Sequence, residues 1–315
     1  MIIYKLPEMT PVPVLPEGCA LALGNFDGVH RGHQRLFSCA REQKCPGGAA
    51  AWSFTALAKP DIPVPYITDT AAKLELFAAC GLDYAVLEDF AAVRDMSARD
   101  FAGKYLAEGL RAGCVVCGFN FRFGKGGAGD AALLSSILTE KNVRVCVTPP
   151  VTYKNHIVSS SLIRETVLDG DMETAAALLG HPFSICFPVV YGNQLGRTIG
   201  IPTINQDFPS GHIIPKRGIY ACVCRVGSKS FNGVANVGVR PTVSGEGRIN
   251  CETHIIDYSG ILYGRSIRVD FYRRLRDEIK FAGVNELKAQ IEKDVTATRN
   301  YFAGASAQSA YKERK

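Results

Sequence analysis

The sequence predicts two domains of different class, an α/β domain followed by an antiparallel β domain. Short apolar runs alternate with helical periods from Cys19 to about Pro150, whereas residues 183–302 contain strand-like runs separated by turn signals and end in one helix. The chain of 315 residues is longer than an average domain of ~100–150 residues. We therefore expect domains at residues 1–180 and 181–315.

The first domain alternates strands with helices. The strand candidates, each bounded by Gly, Pro or Asp, are "CALALGNF", "GGAAAWSF", "LDYAVLED", "GCVVCGF" and "VRVCVTPP". The helix candidates between them are "GHQRLFSCAREQ", "TAAKLELFAACG", "SARDFAGKYLAEGL" and "DAALLSSILTEKN". This alternation predicts a doubly wound, Rossmann-like fold with a parallel sheet, in which ligands bind at the carboxyl ends of the strands.

The second domain is rich in strands and glycine. Two short helices are expected within "SSSLIRETVLDGDMETAAALLG", and the pattern changes at His181 and Pro182. The strand candidates that follow are "FSICFPVVYG", "GIYACVCRV", "SFNGVANVGV", "NCETHIID" and "SIRVDFYRRL". They predict a small antiparallel barrel or sandwich. The closing segment predicts a capping helix whose apolar face contains Leu287, Ile291, Val295 and Phe302.

The composition is that of an ordinary globular protein, with 47% hydrophobic and 21% charged residues. The N-terminus has no basic flank before an apolar stretch, and no run reaches the ~18 apolar residues of a membrane helix. We therefore expect a cytoplasmic protein with no membrane partner. The eleven cysteines are expected to be mostly small buried hydrophobic residues.

The formal net charge of +6 suits either nucleic acid or anionic small molecules. Basic residues are spread along the chain and form no recognised nucleic-acid motif. Phosphate-bearing substrates explain the same sign, so we expect no nucleic-acid partner. The sequence leaves the oligomeric state open.

The segment "GNFDGVHRGH", Gly24 to His33, follows the first predicted strand and opens a helix. Gly24 and Gly28 allow the backbone to approach a ligand, and the free amides of the helix after Gly32 favour a phosphate. His30 and His33 fall on one helical face, where imidazoles can donate hydrogen bonds to phosphoryl oxygens. The plainer alternative is that one histidine caps the helix and the other lies on the surface.

Two further segments fit the same predicted sheet. "CGFNFRFGKGGAGD" follows an apolar strand and supplies Asn120 at its carboxyl end. "SSSLIR", Ser159 to Arg164, places three hydroxyls ahead of a helix. These hydroxyls can simply cap the helix. Together with Arg164 they can instead bind the pyrophosphate that leaves in a nucleotidyl transfer.

On these motifs, residues 19 to about 170 resemble the FMN adenylyltransferase module of the bacterial bifunctional riboflavin kinase/FAD synthetase family, which belongs to the nucleotidylyltransferase superfamily. The resemblance implies that His30 and His33 bind ATP phosphates and that Arg164 assists the transition state, with no covalent enzyme intermediate. It also implies that Asn120 helps to bind adenine or flavin. The ATP contacts expected in this module are Gly24, Phe26, Gly32 and Ser160.

The chain departs from the family pattern in two places. "SFTALAKP" has Lys59 where the family usually carries histidine, in a substrate loop, so this difference bears on flavin affinity. The serine motif has Ser161 and Leu162 where Thr and Arg are usual. It keeps Arg164, so the role implied for that residue is retained.

The second domain has a glycine-rich run, "GNQLGRTIGIPTIN", that ends at Asn205. Backbone amides there can wrap phosphates, and Thr203 and Asn205 offer the hard oxygen ligands that Mg²⁺ prefers. A long hairpin with a proline-initiated turn is the simpler alternative. On the strand "INCETHIID", Glu252 can take a proton from an alcohol that attacks a γ-phosphate. A lone glutamate on a strand more often faces solvent.

Residues 183–302 resemble the riboflavin kinase module of the same family. The shared motifs, in the family's order, are "GRTIGIPTIN", "RGIYAC", "NVGVRPT", "ETHIIDY" and "LYGRSIRVDFYRRLRDE". The resemblance implies a six-stranded antiparallel barrel, with Thr203 and Asn205 at Mg–ATP and Glu252 as the general base on the terminal ribityl hydroxyl. The remaining expected contacts are Gly196 and Gly200 with ATP, and Gly218, Tyr220 and Arg276 with flavin.

These resemblances predict an enzyme that phosphorylates riboflavin to FMN and adenylylates FMN to FAD, with Mg–ATP in both steps and release of pyrophosphate in the second. One alternative keeps the kinase but weakens or loses the adenylyltransferase, because the "ALAKP" loop has diverged. Another alternative is a basic nucleic-acid or flavin-storage protein with relict motifs. The retention of His30, His33, Thr203 and Glu252 together argues against the latter.

Overall fold

The computed structural model describes residues 1–6, 15–55, 64–192, 196, 200–240 and 248–312. The chain divides into two compact units, Met1–Ser160 and Ser161–Lys315. The first unit ends before the two helices that the sequence analysis assigns to the N-terminal domain. A domain boundary at residue 180 therefore stays a prediction.

The first unit is built on a six-stranded sheet in which every strand pair is parallel. The strand order is β1-β4-β3-β2-β5-β6. The strands are β1 Ile2–Lys5, β2 Cys19–Leu23, β3 Ala49–Phe54, β4 Tyr84–Glu88, β5 Ala112–Gly118 and β6 Arg144–Thr148. All five strands predicted for this half are present, and the doubly wound class is confirmed.

Helices cover both faces of this sheet. They are α1 Arg31–Glu42, α2 Thr70–Ala79, α3 Phe90–Val93 and α4 Ala131–Thr139. Each follows a residue whose side chain accepts a hydrogen bond from an amide of the first turn, namely His30, Asp69, Asp89 and Asp130. Alternate strand residues enter opposite cores, since Leu21 and Trp52 belong to one apolar cluster and Ala22 and Ala51 to the other.

Two elements of this unit differ from expectation. The helix predicted in "SARDFAGKYLAEGL" is a π-helix, Asp100–Gly109. Apolar spacing identifies a helical segment but does not distinguish the π hydrogen-bond pattern from the α pattern. Strand β1 was not predicted, because four residues at the sheet edge with exposed Ile2 and Ile3 lack the apolar run of a buried strand.

The two short helices predicted after Ser159 are confirmed as α5, Ser160–Asp169, and α6, Met172–Leu179. The chain turns between them at Gly170, whose φ of 79° is in the left-handed region that favours glycine. A short hairpin of β7, Thr152–Tyr153, and β8, His156–Ile157, precedes them.

The second unit contains a six-stranded sheet in which every strand pair is antiparallel. The strand order is β10-β13-β12-β11-β14-β9. The strands are β9 Phe183–Pro188, β10 Ile204–Asp207, β11 Gly218–Val226, β12 Lys229–Arg240, β13 Arg248–Ile255 and β14 Ser266–Arg276. Five of these were predicted, whereas β10 falls in the glycine-rich run that sequence reasoning treated as a ligand loop or hairpin.

The two outer strands, β10 and β9, approach each other and curve this sheet into a near-barrel. Val190 donates its amide to the carbonyl of Asn205 at 2.8 Å. The fully buried Gln206 donates from Nε2 to the carbonyl of Phe187 at 2.6 Å and to that of Ile267 at 2.7 Å. One amide side chain of β10 thereby bonds to both β9 and β14.

The predicted C-terminal helix is present over Val284–Lys312. Its Val295 packs against a small apolar cluster formed by Ile219, Val234 and Ile256. Within the described ranges, none of the helices combines the length and apolar character needed to cross a bilayer.

We expect Gln206→Ala to destabilise the second unit by about 1–3 kcal/mol, because buried carbonyls of β9 and β14 would lose their donor. Denaturant unfolding followed by far-ultraviolet circular dichroism measures this change. Fluorescence of Trp52, the single tryptophan of the chain, reports on the first unit separately. The exposed Asp207→Ala on the same strand is the matched control. Equal stability of both variants would contradict a closing role for Gln206.

Candidate active sites

The loop from Gly24 to His30 joins the carboxyl end of β2 to the start of α1. Its backbone is strained, because the buried residues Phe26 and Val29 have φ values of 54° and 41°. A non-glycine residue in this region costs about 1–3 kcal/mol and persists only where its surroundings fix it. A Cβ at Gly24 would lie 2.7 Å from the Phe26 ring, so only glycine fits there.

Asp27 fixes this loop. Its carboxylate Oδ1 accepts hydrogen bonds from the amides of Ile67 and Thr68 at 2.9 and 3.1 Å. The Thr68 hydroxyl accepts the amide of Gly28 at 3.0 Å. Ser160 donates its hydroxyl to the Asp27 carbonyl at 2.9 Å. The side chain and backbone of one residue thus connect the loop to the segment before α2 and to the start of α5.

The two histidines of the motif form a stacked pair, with ring centroids 3.5 Å apart. His30 is the N-cap of α1, and its Nδ1 accepts the amide of His33 at 3.3 Å. An accepting Nδ1 carries no proton, so the neutral ring of His30 has its proton on Nε2 and can donate from there. One histidine does cap the helix, as the plainer alternative proposed, and the side chain of His30 is buried while that of His33 is partly buried.

Burial lowers the pKa of both imidazoles and keeps them neutral at pH 7. It lowers the pKa of His30 to about 4, and a hydrogen bond to its backbone opposes this only in part. The pKa of His33 is held well below its ordinary value by burial first, and then by repulsion from His30 and Lys73. Nδ1 of His33 is buried without a hydrogen-bond partner in the described part of the chain. A buried orphan of this kind is an atom that a bound ligand can satisfy.

The histidine pair lines a cavity of about 290 Å³ at the carboxyl edge of the sheet. Five other residues selected from the sequence also line it: Gly24, Phe26, Gly32, Asn120 and Ser160. Asn120 is exposed at its rim, whereas the Phe26 ring packs edge-on against Phe37 and Phe77 in the core. Only part of the buried Phe26 ring therefore lines the cavity.

Arg164 is partly buried on α5, within the second compact unit. The divergent "ALAKP" segment with Lys59 lies outside the described residues.

In the second unit, Thr203 and Glu252 are in direct contact. Thr203 donates its hydroxyl to Glu252 Oε1 at 2.6 Å. Asn205 pairs with Glu252 across β10 and β13, and its Oδ1 accepts a hydrogen bond from Asn250 at 2.8 Å. The threonine hydroxyl just before β10, the asparagine carbonyl on β10 and the carboxylate on β13 thus present oxygen atoms close together.

These three residues line a cavity of about 280 Å³ together with Gly196 and Arg276. The Arg276 guanidinium makes two hydrogen bonds to the Asp294 carboxylate, at 2.9 and 2.6 Å, and is thereby held at the cavity wall. Asn236 also lines the cavity, and its Oδ1 is buried without a partner among the residues described.

Three other residues selected from the sequence do not line this cavity. Gly200 is exposed in the loop before β10. Gly218 has a φ of 147°, and a Cβ there would lie 2.5 Å from the carbonyl of Arg276, so close strand packing explains the glycine. Tyr220 is fully buried, donates its hydroxyl to the carbonyl of Lys216 and packs against Phe271. The geometry places its side chain in the barrel core.

Several supporting residues were missed by sequence reasoning. Asp27 lies inside the quoted motif, where an aspartate between two turn residues is a recognisable loop-fixing signal. Thr68 and Lys73 have no local signal, because they reach the loop only through the fold. The same holds for Asn250 and Asp294 in the second unit.

Both cavities combine polar donors or carboxylates with backbone that can approach a phosphate. This combination is typical of enzymes that transfer nucleotidyl or phosphoryl groups by positioning and charge stabilisation. The fold and the two cavities therefore indicate a transferase of this class, with one cavity in each unit.

Comparison with known proteins specifies the family. The FAD synthetase family model matches residues 13–162, and the riboflavin kinase family model matches residues 179–302. The bifunctional riboflavin kinase/FMN adenylyltransferase of Escherichia coli K12 is 37% identical over 91% of this chain and 93% of its own length. That of Bacillus subtilis is 33% identical over 90% and 92%. The chain belongs to the bifunctional riboflavin kinase/FMN adenylyltransferase family.

A crystal structure from Streptococcus pneumoniae is similar to nearly the whole of this chain. It covers 95% of this chain and 99% of its own, with a TM-score of 0.83 and 28% sequence identity. That protein is described as a macrolide-efflux protein.

We expect the first unit to lose stability as the pH falls from 6.5 to 4. The folded pKa of His30 is about 4, below the ordinary value near 6.5, so the unfolded chain binds more protons in this window. The loss reaches about 3 kcal/mol for this residue alone. Trp52 fluorescence during urea unfolding at several pH values measures it.

The variant His30→Asn removes the titrating group and keeps a good N-cap. It should flatten the dependence of stability on pH, whereas the exposed His156→Asn should not. An unchanged pH dependence in His30→Asn would contradict the assignment.

Proposed function

We propose that this chain phosphorylates riboflavin to FMN in its second unit and adenylylates FMN to FAD in its first unit. The observation that carries the proposal is the coexistence, in a chain of this family, of a neutral histidine pair at a helix N-terminus and a carboxylate bonded to a threonine hydroxyl. The histidine pair suits adenylyl transfer, and the carboxylate suits phosphoryl transfer to a hydroxyl. ATP is the second substrate of both.

In the kinase reaction, the terminal ribityl hydroxyl attacks the γ-phosphorus of ATP, and ADP leaves. Glu252 is proposed as the general base. One oxygen of its carboxylate accepts the Thr203 hydroxyl, which leaves the second oxygen for the substrate hydroxyl. Asn236 offers a free carbonyl oxygen in the same cavity, where a ribityl hydroxyl can donate to it. The flavin ring is proposed to lie towards Arg276.

Magnesium is proposed to enter with ATP as its counterion. The residues at the cavity suit this ion, because Thr203 and Asn205 present neutral oxygens beside the Glu252 carboxylate, and Mg²⁺ prefers oxygen ligands. Bound magnesium would neutralise charge on the phosphates.

In the adenylyl transfer, a phosphate oxygen of FMN attacks the α-phosphorus of ATP, and pyrophosphate leaves. The amides at the start of α1 and the Nε2 proton of His30 are donors for the phosphoryl oxygens on which charge develops. Because both imidazoles are neutral, they stabilise that charge as hydrogen-bond donors. Ser160, which lines the same cavity, is proposed to assist the departure of pyrophosphate.

The alternative that keeps only the kinase rests on a substrate loop outside the described residues, and a time course with riboflavin, ATP and Mg²⁺ separates the two. FMN that rises and then converts to FAD, with pyrophosphate released, supports both reactions. FMN that accumulates alone would show that the adenylyltransferase is lost.

We further propose a cytoplasmic location, which the eleven free thiols suit.

We expect Glu252→Gln to lower the rate of FMN formation by about 10²–10⁴-fold, because the amide cannot accept the substrate proton. Conversion of added FMN to FAD should be unchanged, which provides a control within the same chain. Both rates are measured by chromatography of flavins. Full kinase activity in this variant would exclude Glu252 as the base.

The reciprocal variant is His30→Asn, which keeps the helix cap. We expect it to slow FMN adenylylation by about 10²–10³-fold, the cost of losing one preorganised donor. Phosphorylation of riboflavin should continue at the normal rate. The His156→Asn variant serves as the control, and a normal adenylylation rate in His30→Asn would contradict the role of the pair.

A further inference from the structure

A lysine without a role in the mechanism above is buried beneath the first site. Lys73 on α2 has 0% of its surface exposed. Its Nζ donates to the carbonyl of Asn25 at 2.9 Å and contacts the Ser53 hydroxyl at 3.4 Å. Asn25 belongs to the strained loop, one residue before Phe26, so the ammonium touches the loop from the side of the core.

Keeping a charge at this position is costly. Burial lowers the pKa of Lys73 to about 8, and attraction to Asp27 recovers only part of the loss. The Asn25 carbonyl does not need the ammonium as its hydrogen-bond donor, because the Ser53 hydroxyl also donates to it at 2.9 Å. Buried ionisable groups with a strongly shifted pKa cluster at functional sites.

The charge lies close to the groups that face the phosphates. Lys73 repels the proton of His33 and contributes to its lowered pKa. The stacked histidines are neutral at pH 7 and supply donors but no positive charge. A positive charge in a medium of low dielectric acts strongly on anions that bind nearby.

We propose that Lys73 is a positioning residue for adenylyl transfer, whose ammonium holds the Asn25 carbonyl and places a fixed positive charge behind the His30–His33 pair. This role rests on the proposed function of the first unit. Lys73 acts through the loop and the histidines and touches no reacting atom. The ammonium attracts the triphosphate and the charge that builds on it when pyrophosphate departs.

The role predicts a specific dependence on pH. The ionisable groups that face Lys73 from neighbouring elements are Asp27 from the loop and His33 from α1, and Ser53 faces it from β3. Both imidazoles are already neutral above pH 7. The kcat of FAD formation should therefore fall as the pH rises past about 8, where Lys73 loses its proton.

The test measures FMN adenylylation by the full chain from pH 6.5 to 9.5, with riboflavin phosphorylation as the control on each preparation. We expect Lys73→Met to lower kcat by about 10- to 100-fold at pH 7, with an unchanged KM for FMN and no fall above pH 8. Ser53→Ala should keep that fall. Because Met removes a costly buried charge, unfolding followed by Trp52 fluorescence should show no loss of stability.

Lys73→Gln is a second variant, which keeps a side-chain donor and removes the charge. If either folded variant keeps the wild-type kcat and its fall above pH 8, the proposal is overturned. Unfolding of the first unit in both variants would make Lys73 a requirement of the fold and would overturn it equally. Absence of FAD with the wild-type protein at every pH would instead refute the proposed adenylyltransferase, and with it this role.

Discussion

The hydrogen bonds from the amides of Ile67 and Thr68 to the Asp27 carboxylate are the interaction on which the first site depends. The loop after β2 contains two buried non-glycine residues in the left-handed region, and such strain is kept only where the surroundings fix it. Asp27 provides this restraint. With the loop held, α1 begins at a defined point, and His30 and His33 stack at its first turn.

The second site depends on the alternation of side chains along β10. Asn205 faces the cavity with Thr203 and Glu252, whereas the next residue, Gln206, points inward and bonds to β9 and β14. Because successive strand residues face opposite sides, the same four-residue strand closes the barrel and presents a polar group to the cavity. Closure of the barrel and the geometry of the site therefore both depend on β10.

The two sites differ in their electrostatics. The first brings together neutral imidazoles, the amides at the start of α1 and a buried ammonium, all of which are hydrogen-bond donors. The second contains a carboxylate, and its nearby cation, Arg276, is already paired with Asp294. This arrangement suits a reaction that needs a base at the acceptor hydroxyl and a divalent ion with the nucleotide.

The sequence by itself determined the succession of an α/β part and an antiparallel β part, nearly all the strands and the histidine motif, and it selected Thr203 and Glu252 as separate candidates. Hydrophobic periodicity and short motifs are local signals, and these features are local. Tertiary structure alone decided that Tyr220 lies in the barrel core, that β10 is a strand, and that Asn250 and Asp294 support the second site. It also brought Thr68 and Lys73 to the loop of Asp27. These contacts join residues far apart in the chain, and burial and pairing across strands leave no signal at either position alone.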